Sequence, residues 1–106
     1  MPKYLLEGSY SDEGVKGLIK DKASGRAAAI QKAAQSLGGH MDAIYYTFGD
    51  TDLLVILDLP DNASVAAFAI TAGSTGLLRV RTRPLLTVED IDNAVGKNVQ
   101  YRAPGR

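Results

Sequence analysis

Residues 41–59, MDAIYYTFGDTDLLVILDL, decide the fold. Met41 to Phe48 is β-branched and aromatic, and Leu53 to Leu59 is a second apolar run. Between them, Gly49-Asp50-Thr51-Asp52 has the chemistry of a tight connection, so the stretch predicts a β-hairpin. Working outward, Pro60-Asp61-Asn62 ends the hairpin and caps a helix over Ala63 to Ala72. That segment, ASVAAFAITA, is almost wholly small or apolar, which predicts a helix buried on most sides and closed by Gly73 and Gly76. Leu77 to Leu86 then alternates, with Leu78, Val80 and Thr82 on one side and Arg79, Arg81 and Arg83 on the other, the pattern of a strand. Pro84 assigns that strand to an edge or a bulge. Thr87-Val88-Glu89-Asp90 has the form of a capping box opening a short helix with Ile91 and Val95 on one side and Gly96 at its end.

Upstream of the hairpin, Lys3 to Tyr10 (KYLLEGSY) reads as a strand that stops at the helix-capping pair Ser11-Asp12. Ser11 to Lys22 carries Val15, Leu18 and Ile19 at helical spacing, but Gly14 and Gly17 weaken it, so this helix is expected to be short or broken. From Ser24 to Leu37, Ala27, Ile30, Ala34 and Leu37 make one stripe, and Gly38-Gly39 supplies a left-handed cap.

The order β-α-β-β-α-β with a terminal helix is that of an α+β, ferredoxin-like domain, a four-stranded antiparallel sheet with helices on one face. It occupies residues 1–96, and residues 97–106 form a tail without periodicity, extended along a neighbour or disordered. The two-residue period of a strand then sorts side chains between faces. Tyr4, Leu6, Gly8 and Tyr10, with Ile44, Tyr46, Phe48, Leu53, Val55, Leu57, Leu59, Leu78, Val80 and Thr82, belong beneath the helices. Lys3, Leu5, Glu7, Ser9, Ala43, Tyr45, Thr47, Leu54, Ile56, Asp58 and the three arginines belong to the open face. Its centre is apolar and its margin charged. Leaving Leu5, Leu54 and Ile56 in water forgoes about 1.5–3 kcal/mol each, which favours a homodimer through this face over a monomer with a mixed wet face.

The 106 residues suffice for one core, and 12 basic side chains against 12 acidic give no electrostatic case for binding nucleic acid or an anionic membrane. There is no run long enough to span a membrane and no secretory pattern after Met1-Pro2-Lys3, so a cytoplasmic location is expected. Without cysteine there is no disulfide, thiol nucleophile or cysteine-held metal.

The stretches PKYLLEGSYSDEGVKGLIKD, SLGGHMDAIYYTFGDTDLLVILDLPDNAS and LLRVRTRPLLTVEDIDNAV resemble the GYD domain family, small bacterial proteins of the dimeric α/β-barrel type. The resemblance spans nearly the whole chain. Gly49, Asp50 and Asp52 fit the signature for which the family is named, while Thr51 stands where its tyrosine is expected. The resemblance implies fold and dimerisation but no assigned activity and no cofactor. Related dimeric α/β barrels include cofactor-independent monooxygenases, isomerases, haem-degrading enzymes and ligand-sensing domains, a link of fold rather than of site.

His40 is the side chain whose ordinary pKa lies near neutrality. It reads as a cation or donor at the preceding helix C-terminus, with general acid–base catalysis as the alternative. No HxH or HExxH spacing accompanies it, so no metal site is expected with Asp42, Asp50 or Asp52. Tyr4, Tyr10, Tyr46 and Thr82 share the helix side of the sheet, facing helices that carry Ala27, Ala34, Ala66 and Ala69. Either the rings fill that volume and bond the backbone, or they line an apolar pocket with hydroxyl donors for a small planar compound. Asp50 and Asp52 read as turn residues bonding backbone. Arg79, Arg81 and Arg83 need acids, for which Glu7 on the neighbouring strand, Asp58 of a partner subunit or an anionic ligand are the candidates. These observations predict a homodimeric module for a small organic ligand or for protein contacts. The alternative is a cofactor-independent enzyme of proton-transfer or oxygenase type, acting on a small aromatic or enolisable metabolite.

Overall fold

The computed structural model, which describes Met1–Arg106, begins with strand β1 (Lys3–Tyr10), followed by helix α1 (Asp12–Ser36) and the hairpin strands β2 (His40–Tyr46) and β3 (Leu53–Asp58). Helix α2 (Asn62–Ser74), strand β4 (Leu78–Leu85) and helix α3 (Val88–Val95) complete it. The sheet order is β2-β3-β1-β4, antiparallel throughout, which is the ferredoxin-like arrangement.

The core follows the strand alternation. Tyr4 and Leu6 of β1, Leu53, Val55 and Leu57 of β3, and Leu59 just beyond it pack against Ile30 and Ala34 of α1 and Val65 of α2. A register shift between Met41 and Ala43 leaves Asp42 without a partner in the ladder. This bulge keeps Met41 against the core and turns His40, paired with Asp58, to the open face.

Helix α1 contains one non-helical residue, Lys22 at φ 63° and ψ 167°, at the division the sequence predicts between its two helical segments. Its first segment is held by Ser11, whose hydroxyl accepts from the Gly14 N–H at 3.1 Å. The chain before β4 returns to the same place. The Ser11 N–H and hydroxyl both donate to the Leu77 carbonyl, at 2.9 and 3.1 Å. A Cβ on Gly14 would lie 1.9 Å from that oxygen, so the glycine that weakens the helix is what admits the carbonyl. The other end of α1 closes on backbone N–H groups and on the Ser36 hydroxyl, which donates to Ala33 O at 2.6 Å. Leu37 and Gly39 N–H groups donate to Ala34 O, and Gly38, at φ 84°, donates to Gln35 O.

Three expectations need correction. Helix α2 runs through Gly73 to Ser74, and of its residues only Val65 is buried, with Ile70 71% exposed. It rests on the sheet by one face and has no second layer above it, so Ala63, Ala66 and Ala67 meet solvent. Strand β2 stops at Tyr46, because Thr47 N–H donates back to Asp52 O and Asp52 N–H donates to Gly8 O, each at 2.8 Å. Phe48 therefore projects from the connection fully exposed instead of lying under the helices. Thr82 has the alternation of the core side, opposite Leu6, yet it is exposed. Val80 packs on the core, and the helical cover ends before Thr82.

Helix α3 opens with the expected capping box, in which Thr87 Oγ1 accepts from Asp90 N–H and Asp90 Oδ2 accepts from Thr87 N–H, both at 3.0 Å. Every residue from Leu86 to Arg102 is exposed, and the molecule measures 55 × 33 × 22 Å. No helix is long and apolar enough to cross a membrane.

Candidate functional site

Between the sheet and the two long helices lies a cavity of about 240 Å³. Its floor is Leu6, Gly8 and Tyr10 of β1, Leu53 and Val55 of β3, and Leu78 and Val80 of β4. Leu18 and Ile30 of α1 and Phe68 and Ala72 of α2 form the walls. Gly14 and Gly17 bring no side chain to it, and residues on both sides of the break at Lys22, Leu18 and Asp21 before it and Arg26 and Ile30 after it, belong to the lining. Its volume is just below the ~300 Å³ at which ordinary small-molecule sites begin.

Polar groups gather at one end. Arg26, on the second segment of α1, stands 3.5 Å from Asp21, on the first, so this ion pair spans the break at Lys22. Tyr46, at the end of β2, is beside Tyr10. Burial, reinforced by a hydrogen bond to the Tyr10 hydroxyl, pushes Tyr46 up to about 12, with the Arg26 charge acting in the opposite direction. At neutral pH Tyr46 keeps its proton. A groove of about 270 Å³ on the outer side of α1 and α2 shares Arg26, Ile30, Phe68, Ala72 and Thr75 with the cavity.

Of the four residues that the strand alternation groups together, the fold brings two to this place, Tyr10 in the lining and Tyr46 next to it. Tyr4 is elsewhere. It is 2% exposed, its ring fills the core, and its hydroxyl donates to Asn62 Oδ1 at 2.7 Å, pinning the first turn of α2. Thr82 stands in solvent and is not part of the lining. The alanines named from the sequence are not the ones that leave room, since Ala72 lines the cavity and Ala29, Ala33 and Ala67 line the outer groove. Sequence reasoning passed over Asp21 and Arg26, whose only signal was their position astride the expected break in α1.

His40 lies on the opposite face of the sheet and does not cap α1, whose terminal carbonyls accept from backbone N–H groups and the Ser36 hydroxyl. Its Nε2 is 2.9 Å from Asp42 Oδ1 and 3.6 Å from Asp58 Oδ2. Lys3 Nζ sits between the same carboxylates, bonded to Asp42 and 3.3 Å from Asp58 Oδ2. Hydrogen bonds to Asp42 and then Asp58 raise the Lys3 pKa, and the Lys3 hydrogen bond in turn lowers that of Asp42. His40, Asp42 and Asp58 thus bring three ligand-type groups within 4.8 Å of one another, but an ammonium group already serves the carboxylates.

Asp50 and Asp52 have local duties. Asp52 Oδ2 accepts from Tyr10 N–H at 2.8 Å, and the Asp50 carbonyl accepts from the Ser9 hydroxyl, which ties the connection to the end of β1. Thr51 donates to Glu7 Oε2 at 3.2 Å, while Glu7 Oε1 pairs with Arg83. Glu7 faces Arg81 in the ladder yet binds its diagonal neighbour, and Arg79 and Arg81 have no carboxylate within salt-bridge distance.

One sheet in this order, helices on a single face and a cavity beneath them define a small α+β domain of the ferredoxin-like class. The family pattern of the GYD domain matches residues 4–95, and the chain belongs to that family. It is also similar to a crystal structure of a protein of unknown function from Nitrosomonas europaea, with 18% identity and a TM-score of 0.44, over 82% of this chain and 91% of that one. Among curated proteins none matches it in sequence.

Proposed function

We propose that this GYD domain is a homodimeric module that binds a small, largely apolar organic molecule between its sheet and helices. The observation that carries the reading is the cavity of about 240 Å³, apolar along its floor and walls, with Tyr10, Arg26 and Asp21 among its lining. An apolar body would be held by Leu53, Phe68 and Val80, and a polar substituent by the hydroxyl and guanidinium groups. Catalysis by proton transfer is less well supported. His40 is on the far face, and a tyrosine raised to about 12 donates a hydrogen bond at neutral pH but does not serve as a base.

Methyl NMR titration with two planar probes, phenol and benzoate, tests the ligand site. Saturable shifts at Leu53, Val55 and Val80 are expected, and Ala72→Phe, which fills the space, should abolish them. Shifts that are absent, or that persist unchanged in Ala72→Phe, would refute the pocket. Dimerisation is supported by Leu5, Leu54 and Ile56, which form an apolar centre on a face that neither α1 nor α2 covers. Light scattering should give twice the 11.3 kDa chain mass, and Ile56→Lys should shift the protein toward monomer, because an unpaired charge in a desolvated contact costs several kcal/mol. A wild type of single-chain mass at about 100 µM, where a dimer of micromolar affinity is largely associated, would refute it.

A further inference from the structure

Resting on the homodimer reading, we propose that α3 is a clasp that docks on the open sheet face of a second copy of this chain, along the arginine row of β4. The helix is eight residues long and none of them is buried. A helix shorter than roughly 12–15 residues is marginal in water by itself, and the capping box satisfies only its first turn. One side of α3 is apolar nevertheless. At about 100° per residue, Val88, Ile91 and Val95 fall on a single stripe, and all three are exposed. The same turn places Asp92 and Glu89 together on one flank of that stripe, while Asp90 is occupied in the cap.

The chain carries the complement of this pattern. Arg79 and Arg81 project from the open face without an acidic partner, and Glu89 and Asp92 have no cation within salt-bridge distance. Leu5 lies beside the row on β1, opposite Arg83. An apolar stripe resting on Leu5 and the aliphatic stems of the arginines, with its acidic flank turned to their guanidinium groups, satisfies both sets of unmatched groups at once. Because helix and row belong to one chain, the contact is self-complementary and occurs twice in a two-fold dimer, closing it from both sides. Within its own chain α3 makes no such contact.

Charge exchange tests the clasp. Dimer dissociation constants are measured by sedimentation at low salt for the wild type, for Glu89→Arg with Asp92→Arg, for Arg79→Glu with Arg81→Glu, and for all four together. All of these positions are exposed, and circular dichroism verifies that each variant is folded. Each reversed pair is expected to weaken the dimer roughly tenfold or more, and the fourfold variant to recover most of the loss. Ile91→Ser, which removes the apolar anchor and leaves the charges intact, should weaken it as well. A wild-type dimer that is sensitive to Ile56→Lys but indifferent to the α3 and arginine variants overturns the clasp and leaves the dimer. A monomeric wild type overturns the dimer itself. Saturable stabilisation of the wild type by inorganic phosphate that disappears in Arg81→Ala, with no effect of the α3 variants, assigns the row to anion binding and likewise overturns the clasp.

Discussion

Alanine at Gly14 and alanine at Gly17, three residues apart on one helix, should act in opposite directions. At Gly14 the added Cβ would stand 1.9 Å from the Leu77 carbonyl oxygen, 2.9 Å from its carbon and 3.0 Å from Tyr10 Cδ1. The oxygen has to retreat by more than about 1 Å to reach an ordinary contact. It then abandons the two hydrogen bonds from Ser11, worth about 1 kcal/mol each. Overpacking adds about 1–3 kcal/mol, and the better helix propensity of alanine returns about 1. The net expectation is a loss of about 2–4 kcal/mol. At Gly17 nothing lies within 4 Å of the added atom, so propensity alone should operate and stabilise by about 0.5–1 kcal/mol. Urea unfolding followed by circular dichroism, at one fixed protein concentration, measures both. In heat, Gly14→Ala should lower Tm by about 10 °C or more while Gly17→Ala raises it by about 2–8 °C. Equal stabilisation by the two substitutions would refute the seating of Leu77 against the first turn of α1.

Tyr46, raised to about 12 from 10.0, should appear in spectrophotometric titration as a late phenol that vanishes in Tyr46→Phe. A folded pKa above the unfolded one means that this contribution to stability is complete below pH 10 and is lost as pH rises toward 12, and the variant should lose that slope. Asp61 is held below its usual range, first by the Ser64 hydroxyl and then by the Ser64 N–H. Its contribution is present above the unfolded carboxylate range and lost as pH falls through the depressed value, so Asp61→Asn should keep the α2 cap at neutral pH and flatten the acid limb of a stability profile. Tyr4→Phe removes the bond to Asn62 but not the ring, and should cost about 1 kcal/mol in urea unfolding without altering probe binding in the cavity.

Strand and helix order were legible because each depends on local patterns. The alternation in residues 77–83, the caps at Ser11, Asp61 and Thr87, and the glycines after Leu37 all act within a few residues of themselves. The site was legible only in part. Alternation identifies the side of the sheet on which Tyr4, Tyr10, Tyr46 and Thr82 stand, but the extent of helical cover along each strand is a tertiary quantity, and it separates Tyr10 from Tyr4 and Thr82. The bulge at Asp42 redirects His40 through one extra residue that no local preference announces. Gly14 shows why composition can mislead, since its low helix propensity is real and the contact that justifies it lies 63 positions away at Leu77.

The place of β1 inside the sheet, between β3 and β4, has a consequence for the making of the protein. The first strand of this domain to be synthesised is one of the last to be fully paired, because Lys3 meets Leu85 in the ladder. The β2–β3 hairpin can close as soon as its own residues emerge, and β1 can add to β3 once Asp58 is free. Until β4 is synthesised, however, the other edge of β1 presents unpaired backbone beside Leu6 and Gly8. A nascent chain stalled before residue 78 therefore carries an open strand edge of the kind that recruits other chains, and aggregation during slow translation should concentrate on that interval.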